Sequence, residues 1–248
     1  MHRTLSKFLV PVVLFCFPLL AEAGPGLSLL EISATPQNLA KVTAAIDKWM
    51  ASPVGKQYKG QLLLQANVAD GSNPATNSVV DIYHSLADFE AFGKLAQNDP
   101  AWAEFLNTVV PISTITSSSL VGVVKSWGDV NDTDMVWNVH YLTVKDPAGV
   151  MAALDAWMAS PGGKKFPGQM YLLSMDAGGV SSPDVSGMVS VGFASMAEME
   201  TFNDGLDNDK DFATFIAAIE KASTHVGASI AQTVKVWGPG KLKALTKP

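Results

Sequence analysis

Apolar positions along the chain fall into short runs whose period changes, and those changes mark the elements. Leu27 to Ala34 reads as a strand. Asn38 is a good N-cap, and Leu39, Val42, Ala45, Ile46 and Trp49 recur at helical spacing to Met50. Ser52-Pro53 stops that helix. Gly60 to Val68 is a second strand, Asp70-Gly-Ser-Asn-Pro74 a turn, and Ser78 to Ser85 a third strand. A second helix from Ala87 carries Phe89, Phe92, Leu95, Trp102, Phe105 and Leu106, with a break at Asn98-Asp99-Pro100. Ser113 to Trp127, rich in Thr, Ser and Val, is a final strand.

The order β-α-β-β-α-β then starts again. Trp137 to Val144 is a strand, and Asp146 caps a helix that has Pro147 at its first position and runs to about Met158. Gln169 to Asp176 and Gly187 to Ala194 are strands either side of a Gly/Ser/Pro loop, residues 177–186. Met196 to Lys221 is predicted as one helix, and Thr224 to Trp237 as the last strand. The echo is sharpest in one segment. Trp49-Met-Ala-Ser-Pro-Val-Gly-Lys-Gln-Tyr-Lys-Gly-Gln61 returns without a gap as Trp157-Met-Ala-Ser-Pro-Gly-Gly-Lys-Lys-Phe-Pro-Gly-Gln169. The chain therefore reads as a tandem duplication, residues 24–130 and 131–248, joined through the acidic stretch from Gly128 to Asp134. The Lys-rich tail Lys241–Pro248 reads as frayed.

A unit of this order is the ferredoxin-like split βαβ arrangement. Its helices cover one face of a four-stranded sheet, and the other face must be covered by something. Two units in one chain predict an α+β protein in which two ferredoxin-like repeats form one pseudo-twofold α+β barrel. The segments Tyr83-His-Ser-Leu-Ala-Asp-Phe-Glu-Ala-Phe92 and Asn98-Asp-Pro-Ala-Trp-Ala-Glu-Phe105 have counterparts in Phe193–Phe202 and Asn208–Phe215. On these residues the chain resembles the dimeric α+β-barrel superfamily, which includes antibiotic-biosynthesis-type monooxygenases and stress-responsive barrel proteins. The resemblance implies the fold. As an activity it implies a cofactor-independent monooxygenase or isomerase. Haem-binding members use an axial histidine on a helix, and neither predicted second helix holds one.

Composition narrows the field further. Residues 1–23 combine a basic start, an apolar run from Phe8 to Leu20 and Ala21-Glu22-Ala23, the pattern of a cleaved signal peptide; a periplasmic or secreted protein is expected, with no membrane span after cleavage. Removing Arg3, Lys7 and Glu22 leaves 15 of 17 basic and 22 of 23 acidic residues, a net charge of −7. Cys16 and Arg3 are the only residues of their types, so the mature chain lacks both. Disulfides, thiol chemistry and guanidinium forks are excluded, and an acidic surface excludes nucleic acid as a partner. No Rossmann, Walker or nucleophile-elbow pattern is present, and no cofactor is expected. The Ser-Pro-x-Gly-Lys segment follows a helix and precedes a strand, the reverse of a phosphate cradle.

Polar residues present in one repeat only are the better site candidates. Three histidines remain after cleavage: His84, His140 and His225. Gapless matching sets His140 against Ile32 and Asn138 against Leu30, on one face of a strand whose other face carries Val139 and Tyr141. His140 and Asn138 are the candidate base and hydrogen-bond donor. His84, Tyr83, Tyr141 and Asp81 are candidate ligand-binding residues. Asp99 and Asp209 sit at helix breaks, where Asp satisfies backbone N–H groups. Three function classes follow: a binder of a small apolar or aromatic molecule, a cofactor-independent enzyme, and a self-associating envelope protein that uses exposed strand edges.

Overall fold

The computed structural model of the chain describes residues 24–128, 134–179 and 184–238. The expected signal peptide, most of the acidic junction and the Lys-rich tail lie outside the described residues.

The first half runs β1 (Gly26–Ser33), α1 (Pro36–Met50), β2 (Gln61–Ala69), β3 (Asn77–Tyr83), α2 (Leu86–Gln97), α3 (Pro100–Val109) and β4 (Thr114–Trp127). The second runs β5 (Val136–Val144), α4 (Pro147–Ala159), β6 (Met170–Gly179), β7 (Gly187–Phe193), α5 (Met196–Asp204), α6 (Lys210–Ala222) and β8 (Ser223–Trp237). Local chemistry explains the boundaries. Thr35, not Asn38, caps α1, because Pro36 takes the first helical position; the Asn38 side chain instead donates to the Ile112 carbonyl at 3.0 Å. Asp99 and Asp209 cap α3 and α6 as expected. The single helix predicted over Met196 to Lys221 is broken like its counterpart. No proline marks the break: Asp209 accepts the Asp211 and Phe212 N–H groups and starts α6 afresh.

All eight strands close into one barrel, in the order β1-β3-β2-β8-β5-β7-β6-β4, every pairing antiparallel. Each half supplies four neighbours, and the β2–β8 and β4–β6 ladders seal the halves together. A closed ring has no strand edge for another chain to extend, which removes the feature offered above for an envelope assembly role.

Each strand has a lumen face and an outer face, and the outer faces of β4 and β8 are partly exposed, at Ile115 and His225 among others. Inside, Leu63, Val80, Ile82, Val121, Tyr171, Leu173 and Met188 fill the lumen, with Leu27, Leu29, Trp137, Val139 and Tyr141 packed against them. Outside, two helix-covered cores form. One gathers Ile32, Val42, Ile46, Trp49, Leu62 and Leu64 beneath α1 to α3, the other Leu142, Val150, Leu154, Trp157, Met170 and Leu172 beneath α4 and α6. The strand ends cross between them. Trp237, at the end of second-half β8, packs in the first-half core; Trp127, at the end of first-half β4, packs against the second-half core. The helices answer in kind. Asp47 of α1 accepts from the Trp237 indole at 2.7 Å and pairs with Lys235, while Asp155 of α4 accepts from the Trp127 indole at 2.9 Å and pairs with Lys125.

The repeated Trp-to-Gln segment is structural. Ser52 and Ser160 each accept the N–H of the following glycine, Gly55 or Gly163. A Cβ there would lie 2.2 Å from the Trp49 carbonyl oxygen, or 2.0 Å from that of Trp157, so glycine is required by close approach.

Candidate functional site

A strand inside a closed barrel alternates between lumen and helix side. In β1, Leu27 and Leu29 point inward while Leu30 and Ile32 join the helix-side core, and this parity turns Glu31 into the lumen, where it is 3% exposed. In β2 and β3 the same alternation turns in Gln65, Asn67 and Ser78 alongside Leu63, Val80 and Ile82.

These polar groups meet at one mouth of the barrel, where the turn after β2 folds back. Asn73 Nδ2 donates to Glu31 Oε1 at 2.7 Å and to Asp70 Oδ2 at 2.6 Å, bridging two carboxylates. Ser117 of β4 donates to Glu31 Oε2 at 2.6 Å, Asn67 donates to Asp70 at 3.2 Å, and Ser78 donates to Asn67 at 3.0 Å. From the second half Tyr141 faces the same space, its phenol 2.8 Å from the Ser229 hydroxyl. Burial and then the nearby Glu31 charge push the Asp70 acid up to about 6, against the pull of the Asn73 hydrogen bond. Burial likewise pushes the Tyr141 phenol up to about 12; the Ser229 hydrogen bond opposes this and the Asp70 and Glu31 charges add to it. Partial exposure of Asp70 and Asn73 leaves the network open to solvent from the loop side.

The network belongs to one half only. Glu31 pairs with Ser78 and Ser117; at the matching register Tyr141 pairs with Met188 and Gly227. The second half thus meets the same mouth with a phenol and apolar side chains, Met175 and Val185 among them.

Other candidates lie elsewhere. Asn138 and His140 share a face, as expected, but it is the outer face; the lumen side of β5 is Trp137, Val139 and Tyr141. Pairing register also corrects their partners: β5 residues match β1 so that His140 corresponds to Leu30 and Asn138 to Ser28. Gapless matching failed because α4 is shorter than α1. The structure brings His140 to His225, with 3.4 Å between Nδ1 and Nε2. Burial, then the His225 ring, holds the His140 acid down at about 4.

Asp81 faces the helix side of the first half and accepts from the Tyr58 phenol. Burial pushes Asp81 up to about 6 while that hydrogen bond pulls it down; burial and then the Asp81 charge push the Tyr58 phenol well above its ordinary range. Tyr83 is buried, packs on Phe89 with 5.0 Å between ring centroids, and donates to the Leu27 carbonyl at 3.4 Å. Burial, then the Asp176 and Asp81 charges, raises its phenol above the usual value. His84 is exposed just beyond β3. Of the sequence candidates, only Tyr141 reaches the carboxylate network, and Glu31, Asp70, Asn73 and Ser117 were not singled out.

Among the described residues no group of three or more His, Cys, Asp or Glu side chains could hold a metal ion, and no helix is long and apolar enough to cross a membrane.

No protein-family model matches the sequence, and no curated protein does. Solved structures match over most of the chain. An anthrone oxidase-like protein aligns with a TM-score of 0.54 and 16% identity, over 87% of this chain and 94% of its own. A candidate monooxygenase from Fusobacterium nucleatum aligns with a TM-score of 0.58 and 13% identity, over 92% of this chain and 100% of its own. Another, from Lactobacillus acidophilus, gives 0.55 and 11%, over 87% of this chain and 96% of its own. At these identities the likeness is one of fold alone: the chain has the ferredoxin-like α+β barrel that these structures share.

Proposed function

We propose that the mouth lined by Glu31, Asp70, Asn73 and Tyr141 is the active site of a cofactor-independent oxygenase acting on a small aromatic carbon acid. The observation that carries this reading is the carboxylate pair bridged by Asn73 in one half only, facing Tyr141 across the lumen. An acid poised at about 6 is ionised at neutral pH and basic enough for general-base work. Asp70 takes a proton from a C–H activated by a neighbouring carbonyl or ring. The Tyr141 phenol hydrogen-bonds the oxygen on which charge collects, while the Asn73 amide stays on the two carboxylates and holds them in place. The carbanion reacts with dioxygen, and loss of water from the hydroperoxide converts a CH₂ to a carbonyl. The apolar remainder of the substrate lies against the partly exposed Val139 and Met175. The names of the fold neighbours, anthrone oxidase-like and monooxygenase, support this chemistry. The pattern in residues 1–23 supports export.

A second reading, a binder without turnover, is favoured by one observation: at rest both carboxylates already accept hydrogen bonds from the protein. Oxygen uptake with a panel of anthrone-type and phenolic carbon acids separates the two. Under the first reading Asp70→Asn lowers kcat by about 10²–10⁴-fold with its melting temperature kept. An unchanged rate removes Asp70 from the chemistry. No turnover with any compound, together with ligand-induced thermal stabilisation, establishes the binder.

A further inference from the structure

The outer face of β5 and β8 carries a feature the lumen chemistry does not use. In the ladder between these strands Tyr141 pairs with Gly227 but Leu142 pairs with His225, so Val226 is an extra residue. In an unbroken ladder His225 would share the face opposite His140. The bulge rotates it by one position, onto the same outer face. The first half has the same bulge, with Glu31 against Ser117 and Ile32 against Ile115, and the positions matching the two histidines hold Leu30 and Ile115. One backbone device thus brings together an aliphatic pair in one half and two imidazoles in the other.

We infer that His140 Nδ1 and His225 Nε2 form a binding site for a borderline divalent transition-metal ion of the Zn²⁺ or Cu²⁺ class. Geometry carries the inference. The nitrogens are 3.4 Å apart, long for an N–H···N hydrogen bond. Two nitrogens each about 2.0–2.1 Å from a tetrahedral ion are separated by about 3.4 Å. Tilted at 50° with centroids 5.5 Å apart, the rings converge without stacking. His225 is exposed, so an ion reaches the pair from solvent. Two protein ligands leave the remaining coordination positions to water or an exchangeable ligand, unlike the closed set of a structural zinc site. Imidazole suits zinc, copper and nickel, and the affinity order expected is Co²⁺ below Ni²⁺ below Cu²⁺.

The test is calorimetric titration of the intact protein with Zn²⁺ and Cu²⁺, paired with electron paramagnetic resonance of the Cu²⁺ complex. One equivalent should bind, with nitrogen hyperfine coupling in the copper spectrum. His140→Asn and His225→Asn should each weaken binding by more than about tenfold, the loss that removing even an outer-sphere partner can bring. The double variant His140→Leu/His225→Ile, which installs the first-half residues, should abolish it, and His84→Asn should leave it unchanged. Retained one-to-one binding in the double variant, or no binding to the wild type, overturns the site. If the double variant does not fold, His225→Asn alone decides, because that side chain is exposed and its loss opens no core.

Discussion

The two halves of the barrel close one mouth with opposite chemistry. The position of Glu31 is taken in the second half by Tyr141, and the register partners Ser78 and Ser117 are replaced by Met188 and Gly227. The backbone pairing is the same in both. The scaffold therefore does not require the carboxylates, since a phenol and apolar side chains suffice in the second half. Burying carboxylates beside one another costs stability unless each is hydrogen-bonded, and the first half carries Asn73, Asn67 and Ser117 to meet that cost. A charged cluster added to one half of a repeated frame is the pattern expected of function.

The helix-covered cores show the opposite behaviour, and the largest predicted effect tests their equivalence. Trp49 stacks on Phe105 and contacts Trp102; Trp157 stacks on Phe215 and contacts Phe212. Both indoles are buried with no hydrogen-bond partner at Nε1. Trp49→Ala and Trp157→Ala should each destabilise by about 3–5 kcal/mol in denaturant unfolding. A marked inequality would break the equivalence of the two cores.

A middle-sized effect sharpens the contrast on the helix side. Asp81 and Tyr58 form a buried acid–phenol pair where the second half has Val191 and Phe166. Asp81 is raised from 3.8 to about 6 in the folded protein. A raised carboxyl favours folding fully below the unfolded value, and that contribution is lost as pH rises through about 6. Asp81 alone should therefore make the fold about 2–3 kcal/mol less stable at pH 7 than near pH 4. Asp70, raised similarly, acts in the same direction but counts for less because it is partly exposed to solvent. His140, depressed to about 4, acts in the opposite direction, losing stability as pH falls from 6.5. The wild-type profile is a compromise between these trends, so the measurement is a difference. Stability of Asp81→Asn minus wild type should rise between pH 4 and 7; a flat difference contradicts the burial argument.

The smallest predicted effects belong to the matched carboxylates on α1 and α4. Asp47→Asn and Asp155→Asn each weaken one ion pair while the indole hydrogen bond can remain. These carboxylates are close to half exposed, so each loss should stay below about 1 kcal/mol. The two losses should be nearly equal and additive in a double variant.

Much of this architecture was legible in the sequence because it rests on local signals. Helical spacing, capping residues and the repeated Trp-to-Gln segment located the strands and most helices. The break between α5 and α6 was missed because no proline announces it. The mouth was hidden for a different reason. Both faces of β1 are covered, one by lumen and one by helices, so Leu29, Leu30 and Ile32 flank Glu31 without alternation and its direction cannot be read. A lone acid there looks like a solvent-facing residue. The usable signal was asymmetry: Glu31, Asn67, Ser78 and Ser117 all lack polar counterparts of the same kind, but that comparison required the strand register, which gapless matching shifted by two positions. The histidine pair was hidden by a bulge, which changes facing without changing composition.

The crossed tryptophans have a consequence for how the chain could be cut and joined. Trp127 and Trp237 each complete a core belonging mainly to the other half, and two ladders run between the halves. Neither half owns everything it needs to stand alone. A nick in residues 129–133 should therefore yield two fragments that remain associated and reassemble by complementation after separation, each acting as the template for the other. At high concentration the same reciprocity permits exchange, the β4 end of one molecule entering the core of a second, so that a reversible dimer arises from contacts already present in the monomer.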